Sequence, residues 1–316
     1  MLFRKHRKKG NIFPPQENDR CEGILNGIDD TEDTVDLSET ETGIKKRDDR
    51  KKIFYNRKTP IQSIAINNKG IVRYNNEDNF YLNGIFMPRA KMDNGAMILR
   101  KFTDEVQIYA VCDGMGGTDA GEEASFCAVR ELADRRKNEQ DFTDATRLKK
   151  ILCQISDRVY EEAEQRRQKS GTTIAMMVIG DKGTLFANVG DSRIYRFRNH
   201  ELMQLSLDHS RAQRMIAMGL MTQEEAKRSP GRHVLTQYLG MTPAVQISPC
   251  MISDENIQKS DLYLLCSDGL SDMVEDSQIE KILQDETDLE NSAKRLLEIA
   301  IKNGGRDNVT IMLVQI

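Results

Sequence analysis

The chain has 316 residues, of which 38% are hydrophobic and 30% are charged, so it can bury a core in one or two domains. Its 46 Lys and Arg residues stand against 50 Asp and Glu residues, which gives a net charge of -4 at pH 7. This slightly acidic balance argues against nucleic acid as the main partner, because a nucleic-acid-binding protein carries a basic patch or stripe.

Residues 1–61 differ in character from the rest of the chain. Basic residues cluster at positions 4–9 and 45–52, on either side of an acidic run at positions 29–41. Apolar residues are few here and keep no period, which predicts a disordered charged tail. The tail is either a solvated leader or a docking segment.

Neither a signal peptide nor a membrane helix is expected. The first nine residues are basic but lack the apolar segment of a signal peptide. No apolar stretch approaches the roughly 18 residues that a membrane helix needs. We therefore expect a cytoplasmic protein without a membrane span.

Residues 62–316 show the patterns of a folded domain. Apolar residues at helical spacing predict helices at 148–159 and 289–300, and Thr222 and Glu225 form a capping box that opens a short helix. Because the helices come in pairs rather than alternating with each strand, we expect an α+β fold with antiparallel sheets covered by helices. Short β-branched and aromatic runs predict strands at residues 80–82, 106–112, 172–179, 184–189, 193–197, 262–266 and 309–314.

Aspartates stand where several of these strand runs stop. Asp113 and Asp268 each follow a run and precede a glycine, Asp191 follows another run, and Asp307 precedes the last. Taken singly, Asp-Gly is a common hairpin turn, in which glycine lets the backbone turn sharply. Carboxylates gathered near the interior repel one another unless a cation compensates them, so the set together predicts a metal site.

The ligand chemistry narrows the choice of metal. All-oxygen ligands suit hard ions, which predicts Mg²⁺ or Mn²⁺ rather than zinc. The six cysteines lack zinc-ligand spacing, and none of the four histidines neighbours a strand-end aspartate in the sequence, which argues against a histidine-metal site. Two hard ions about 3.5 to 4 Å apart activate a bridging water and clamp the oxygens of a phosphoryl displacement, so we expect hydrolysis of a phosphate ester.

Arg73 precedes a further acidic pair, Glu77 and Asp78, that leads into the first predicted strand. A planar guanidinium pairs bidentately with phosphate oxygens, so Arg73 is a candidate ligand of the substrate phosphate. The alternative is a surface salt bridge with Glu77 or Asp78. The glycine-rich residues 114–121 match neither a dinucleotide fingerprint nor a P-loop.

Eight motifs follow one another in the order of a known family. They are Arg73-Tyr-Asn-Asn-Glu77-Asp78, Val111-Cys-Asp113-Gly-Met-Gly-Gly117, Ser170-Gly-Thr-Thr173, Val189-Gly-Asp191-Ser-Arg193, Leu207-Asp-His-Ser210, Leu235-Thr-Gln-Tyr-Leu-Gly240, Cys266-Ser-Asp268-Gly-Leu-Ser-Asp272 and Arg306-Asp307-Asn308. On these motifs, residues 62–316 resemble the catalytic domain of type 2C metal-dependent serine/threonine protein phosphatases, in particular the bacterial single-domain members. The resemblance implies a four-layer αββα sandwich, in which two antiparallel sheets lie between pairs of helices.

The resemblance also implies a binuclear metal centre in a cleft at one end of the sheets. Asp113 would bridge both ions, with the Gly114 carbonyl on one of them, and Asp268 and Asp307 would bind the other. Glu77 would hold an ion through a water molecule.

Further positions match other parts of the family's site. Asp191 and Asp272, with Asp268, match the positions of a third, weaker ion in bacterial relatives. Arg73 would hold the substrate phosphate and Asp78 would orient the water on Glu77, so these two residues are the expected catalytic side chains. Residues 206–240 would form a flap beside the cleft.

Two positions depart from the family pattern. Met115 stands where many eukaryotic relatives have a histidine that is the proposed general acid. Thr118 stands where many bacterial relatives have a histidine. The resemblance therefore leaves the proton donor to the leaving group unassigned.

The leading interpretation is a phosphoserine and phosphothreonine protein phosphatase that reverses a serine/threonine kinase. One alternative is a pseudophosphatase binding module on the same fold, which the retained acidic residues disfavour. Another is a small-molecule phosphohydrolase, since metal ligands define the chemistry and not the substrate.

The acidic run of the tail suggests a partner. Its hydroxyl residues lie among acidic residues, a setting that acidophilic kinases favour and that phosphothreonine readers bind. We expect the tail to dock the enzyme to a cognate kinase or a scaffold, or else to fold over the catalytic body and inhibit it. The hydroxyl residues of this acidic run are Thr31, Thr34, Ser38, Thr40 and Thr42.

Overall fold

The computed structural model describes residues 60–116, 120–138, 142–181, 183–286 and 288–316. The predictions made for residues 1–59, including the disordered tail and its phosphorylation, lie outside the described residues, as does Thr118. The first strand begins at Ile61, one position before the predicted start of the domain. Among the described residues, no helix is both long and apolar enough to cross a membrane.

Two antiparallel sheets form the centre of the fold. In spatial order, the first sheet contains β10 (Glu201–Gln204), β9 (Arg193–Arg198), β12 (Leu262–Cys266), β13 (Val309–Gln315), β1 (Ile61–Asn68) and β4 (Ala96–Phe102). The second contains β11 (Cys250–Asp254), β8 (Gly183–Val189), β7 (Ile174–Gly180), β5 (Gln107–Gly116), β2 (Asp78–Leu82) and β3 (Ile85–Phe86), and β6 (Ser170–Thr172) pairs with the end of β5.

Helices cover the outer face of each sheet. The second sheet packs against α1 (Ala120–Asn138) and α2 (Ala145–Gln165), and the first packs against α6 (Asp276–Asp285) and α7 (Leu289–Lys302). The segment between β10 and β11 contains α3 (Arg211–Ala217), α4 (Gln223–Arg228) and a 3-10 turn at Pro230–His233, and α5 (Asp268–Ser271) follows β12. A second 3-10 turn, Arg89–Asn94, precedes β4. This arrangement confirms the predicted α+β sandwich of four layers.

Apolar clusters fill the three spaces between the layers. Tyr109 and Tyr263 are buried between the two sheets. Leu132 belongs to the cluster under α1 and α2, and Leu296 to the cluster under α6 and α7. Each fully buried large apolar side chain contributes about 1.5 to 3 kcal/mol relative to exposure. The three apolar clusters therefore stabilise the packing of the four layers.

The predicted elements are found, most of them with shifted ends. The runs at 80–82, 184–189 and 262–266 lie in β2, β8 and β12, and the two predicted helices lie in α2 and α7. The run at 172–179 is divided between β6 and β7 at Thr173, although both strands pair with β5 in one continuous register. The Thr222 capping box is present and opens α4.

Several elements were not expected from the sequence, among them β1, β4, β10, β11 and helix α1. Strands β1 and β4 carry polar residues between their apolar ones, as in the β1 sequence IQSIAINN. Helix α1 has a charged face but no sharp apolar stripe, since it is buried against the sheet through small residues such as Ala124 and Ala128. Tertiary burial rather than local pattern therefore decided these elements.

Candidate metal centre

The two sheets deliver their carboxylates to the same end of the sandwich. On the second sheet, Asp78 opens β2 and is the register partner of Asp113 in β5. On the first sheet, Asp268 lies just after β12 and Asp307 lies just before β13. These two strands are antiparallel neighbours, so the end of one meets the beginning of the other. Asp191 lies in the connection from β8 to β9, where the chain crosses between the sheets.

Asp113 does not end its strand, which corrects the expectation drawn from the sequence. Strand β5 continues to Gly116 because β6 pairs with its last residues. Asp268, likewise, is the first residue of α5 and not part of a hairpin turn. The local Asp-Gly signal therefore marks two different backbone conformations.

The glycines after these aspartates allow close approach of backbone segments. Neither Gly114 nor Gly269 has a positive φ, so neither is needed for a sharp turn. A Cβ on Gly114 would lie 2.1 Å from the Gly121 carbonyl oxygen, and one on Gly269 would lie 1.9 Å from the Asn308 carbonyl oxygen. Glycine at both positions lets α1 and the start of β13 lie against the site.

Asp78 lies at the bottom of the cluster, only 1% exposed. The hydroxyls of Ser267 and Thr310 each donate to its Oδ2 at 2.7 Å. Burial raises the pKa of Asp78 to about 7, against the lowering effect of these two hydrogen bonds. This carboxylate is held by the protein and not by solvent, so it can orient its neighbours but has no open path to a substrate.

Asp113 and Asp191 carry strongly perturbed carboxyl groups. Burial, and then the negative charges of Asp78 and Asp268, raise the pKa of Asp113 well above its ordinary value. Burial and the charge of Asp268 do the same for Asp191. Burial also raises the pKa of Asp307, and the negative charge of Asp268 adds to this rise. Such a set is poorly compensated by the protein alone and fits a bound cation.

Asp268 gives the sharpest indication of a missing partner. Its Oδ1 is buried, and within the part of the chain that the structure describes no group makes a hydrogen bond to it. A buried carboxylate oxygen without a partner is costly, since it loses hydration without recovering a hydrogen bond. The residues therefore fit hard divalent cations, which bind carboxylate and carbonyl oxygens.

Glu77 is held in place through its backbone. Its amide donates to Asn308 Oδ1 at 2.8 Å, and its carbonyl accepts from Ser125 at 2.6 Å and from the amide of Gly114 at 3.1 Å. A Cβ on Gly121 would lie 2.6 Å from Glu77 Oε1. Helix α1 thus packs directly against the side chain of Glu77.

Arg73 lies at the open side of the cluster. Its Nη2 is 2.6 Å from Asp307 Oδ2, and its Nη1 is 3.8 Å from Glu77 Oε2. The predicted alternative of a salt bridge is thus present with Glu77 and absent with Asp78, whose carboxylate is buried against Ser267 and Thr310. The guanidinium is about half exposed and remains accessible to a phosphate group beside Asp307.

One histidine lies at the site, contrary to the expectation from its position in the sequence. His233 Nδ1 is 3.8 Å from Asp268 Oδ2, and its Nε2 is 3.5 Å from Asp272 Oδ2. One ligand atom from each of the three residues lies within 4.8 Å of the others. Asp268 raises the pKa of the imidazole, although burial opposes this.

Arg232 connects the predicted flap to the same group. Its Nη2 is 3.2 Å from Asp272 Oδ2, and its Nη1 donates to the Lys227 carbonyl at 3.0 Å. Burial raises the pKa of Asp272, and the charge of Asp268 adds to this rise. The 3-10 turn at Pro230–His233 therefore lies beside the carboxylates.

Sequence reasoning missed the residues that position the site. Ser267 and Asn308 lie inside quoted motifs, next to Asp268 and Asp307, so a search of the motif flanks for hydroxyl and amide residues would have found them. Thr310 reads as an ordinary residue of a buried strand and gives no such signal. His233 is 35 positions from Asp268, and no local pattern joins them.

The chain is similar to known protein phosphatases in sequence and in fold. The sequence profile of protein phosphatase 2C matches residues 96–313. The serine/threonine phosphatase Stp of Listeria monocytogenes is 34% identical over 253 residues, which cover 78% of this chain and 92% of that protein. The structure of the serine/threonine phosphatase Stp1 from Staphylococcus aureus is 29% identical, with a TM-score of 0.70 over 82% of this chain and 96% of that one. The catalytic domain of the serine/threonine protein phosphatase PstP, in complex with two manganese ions, is 30% identical, with a TM-score of 0.64 over 81% and 99%.

Proposed function

Since this chain belongs to the protein phosphatase 2C family and is a metal-dependent serine/threonine protein phosphatase, we propose that it hydrolyses phosphoserine and phosphothreonine at the carboxylate cluster around Asp113. The observation that carries the assignment of the site is the buried Oδ1 of Asp268, which has no hydrogen-bond partner among the described residues. This oxygen lies amid carboxyl groups whose pKa values are raised by burial and by one another. Cations at this position would relieve both penalties.

Two manganese or magnesium ions are the proposed cofactors. Asp113 would hold both ions, with the Gly114 carbonyl on one, while Asp268 and Asp307 would hold the other and Glu77 would act through water. The two manganese ions of the PstP complex support this number. When bound, such ions lower the pKa of a coordinated water and neutralise the oxygens of a phosphate during in-line displacement.

The side chains around the ions have separate tasks. Arg73 would bind two oxygens of the phosphate, which orients the ester and balances the charge that Asp307 contributes. Asp78 would fix the arrangement from below, because Ser267 and Thr310 hold its carboxylate in one position. Neither the binding of phosphate by Arg73 nor the positioning by Asp78 requires a proton donor at position 115, where Met115 cannot supply a proton.

A third, weaker ion is proposed at Asp191 and Asp272, with Asp268. The raised pKa values of Asp191 and Asp272 support it. Asp272 is at present paired with Arg232 and lies near His233, so an ion there would compete with the flap for this carboxylate. Such competition would make binding at this position weak.

The proposal is tested on purified protein with a phosphothreonine peptide. We expect phosphate release that requires Mn²⁺ or Mg²⁺ and stops when a chelator is added. Arg73→Ala should mainly raise KM, with a smaller loss of kcat. Peptides left intact while a small phosphate ester is hydrolysed would favour the small-molecule alternative, and absence of any metal-dependent hydrolysis would favour the pseudophosphatase.

Physiological substrates are proposed to be cytoplasmic phosphoproteins of a cognate serine/threonine kinase, with residues 1–59 as the docking segment. The test compares the full chain with a chain that begins at Pro60. A docking segment predicts equal turnover of a small phosphopeptide and weaker capture of the kinase. Faster turnover of the shortened chain would instead indicate autoinhibition, and no change in either measurement would leave a solvated leader.

A further inference from the structure

The segment that carries Arg73 exposes an unusual amount of apolar surface beside the metal centre. Within residues 69–75, called here the Arg73 loop, Ile71 is 67% exposed, Val72 61% and Tyr74 93%. Eight large hydrophobic side chains are exposed among the described residues, and three of them lie in this loop. A contiguous exposed apolar patch commonly marks a binding surface.

The Arg73 loop is held rigidly at both ends. Asn308 Nδ2 donates to the carbonyls of Lys69 and Asn75, at 2.8 and 2.9 Å. The Ile71 amide donates to the Gly305 carbonyl at 2.9 Å. The apolar side chains are therefore exposed by a fixed backbone and not by a fraying chain end.

The Arg73 loop also packs closely against the metal centre, and this packing restricts its conformation. Gly70 has a φ of 78°, and a Cβ there would lie 2.2 Å from the carbonyl oxygen of Asp307. The same Asp307 accepts from Arg73 at 2.6 Å. The backbone on both sides of Arg73 is thus set against a residue of the cluster.

Distance decides what can reach this surface. Consecutive Cα atoms are about 3.8 Å apart, so Val72 and Tyr74 adjoin the backbone of Arg73, whose side chain reaches the proposed phosphate position. In a substrate, the residues next to the phosphorylated one are at the same short distance from the phosphate. A peptide whose phosphate pairs with Arg73 can therefore place a flanking side chain on Val72, Tyr74 or Ile71.

We propose that the Arg73 loop is a specificity surface that selects phosphoproteins with an aliphatic or aromatic residue within two positions of the phosphorylated residue. This inference rests on the proposed function and refines its substrate class. Burial of an apolar flanking side chain against Val72 and Tyr74 would remove both surfaces from water. A serine or charged residue at the same position would gain nothing from this contact.

The experiment uses the full chain and two phosphothreonine peptides that differ only in their flanking residues, leucine in one and serine in the other. We expect kcat/KM to favour the leucine peptide about five- to tenfold, as for partial burial of one such side chain. The double substitution Val72→Ser, Tyr74→Ser should abolish the preference. It should leave hydrolysis of p-nitrophenyl phosphate, which has no flanking residues, unchanged.

A matched control is an exposed valine outside the Arg73 loop. Val245, 50% exposed, precedes the edge strand β11 of the second sheet, and Val245→Ser should retain the preference in full. Equal rates on both peptides in the unaltered enzyme, or a preference that survives the double substitution, would overturn the inference but leave the proposed function standing.

Two other outcomes also have a defined meaning. Absence of metal-dependent hydrolysis of all three substrates by the unaltered enzyme would refute the proposed function and the inference with it. If the double substitution changes the oligomeric state, measured by light scattering, but not the peptide preference, the surface binds a second copy of the chain and the inference is wrong.

Discussion

Asp113 is the residue whose pKa responds to the charges of four other carboxyl groups of the site. Its carboxyl group is partly buried, and this burial and the charges of Asp78, Asp268, Asp191 and Asp307 all raise its pKa. In the proposed mechanism it is also the one side chain that holds both ions. A substitution that removes its charge should therefore separate catalysis from folding.

We expect Asp113→Asn to lower turnover by orders of magnitude, because the shared ligand loses its charge. The fold should persist, and without metal the variant should unfold at a temperature at least as high as the original, since one repelling charge is removed. Titration calorimetry with Mn²⁺ and thermal unfolding measure the two effects. Asp285→Asn, at the exposed end of α6, is the control, and near-normal Mn²⁺-dependent turnover of Asp113→Asn would contradict the assignment.

The raised pKa of Asp78 predicts that the free energy of unfolding of the metal-free protein depends on pH. Burial raises its pKa from 3.8 to about 7, so between these values the folded protein holds a proton that the unfolded chain releases. The stability from this group is fully present below pH 3.8 and is lost as the pH rises through about 7. In chelator, the free energy of unfolding at pH 5 should therefore exceed that at pH 8.

The check is urea unfolding of the original chain and of Asp78→Asn over this pH range. The variant cannot release the proton, so its stability should fall less steeply as the pH rises, by up to about 1.4 kcal/mol per pH unit. Asn can still accept from Ser267 and Thr310 through its amide oxygen. Identical slopes would mean that Asp78 does not titrate in this window.

At the scale of elements, helix α1 positions Glu77. Gly121 lies in the first turn of α1, close to the side chain of Glu77 and to the backbone of Gly114. The helix therefore packs directly on the second sheet at this point. The helix was not expected from the sequence, yet it restricts where one of the candidate metal ligands can lie. The position of Gly121 makes this contact testable.

Gly121→Ala would place a Cβ 2.6 Å from Glu77 Oε1 and 2.9 Å from the carbonyl carbon of Gly114. The side chain and the strand must then shift, so we expect the Mn²⁺ concentration for half-maximal activity to rise by about tenfold or more. Ser277→Ala, in the exposed first turn of α6, is the control. Equal Mn²⁺ dependence of the two variants would show that the contact with Glu77 is unimportant.

At the scale of the whole molecule, the site joins the two sheets. Asp78 and Asp113 belong to the second sheet, whereas Asp268 and Asp307 lie at the ends of strands of the first. Ser267 and Thr310 already cross between the sheets by donating to Asp78. Ions held by both sets of carboxylates would add to this connection and lower the repulsion between them.

We therefore expect Mn²⁺ to stabilise the entire fold and not only the cleft. At a free concentration 100 times the dissociation constant, one ion adds about 2.7 kcal/mol to the free energy of unfolding. Thermal unfolding with and without chelator measures this gain, which Asp113→Asn should largely abolish. A melting temperature that does not respond to Mn²⁺ would contradict a site shared between the sheets.

The sequence by itself determined the fold class and the residue types of the site. Buried strands such as β12 are short apolar runs, so their ends and the aspartates that follow are visible in the local pattern. The order of motifs around Asp113, Asp268 and Asp307 then indicated hard-ion chemistry and the family. These are properties of neighbouring residues, and neighbouring residues are what a sequence displays directly.

Tertiary structure alone decided how these residues are held and what surrounds them. The hydrogen bonds from Ser267 and Thr310 to Asp78 span 189 and 232 positions, and His233 reaches Asp268 from a separate segment. Glycine next to each aspartate proved to serve backbone packing against Gly121 or Asn308 rather than a turn. Contacts of this kind depend on which strands are neighbours in the two sheets, and strand pairing is fixed by burial over the whole molecule and not by local periodicity.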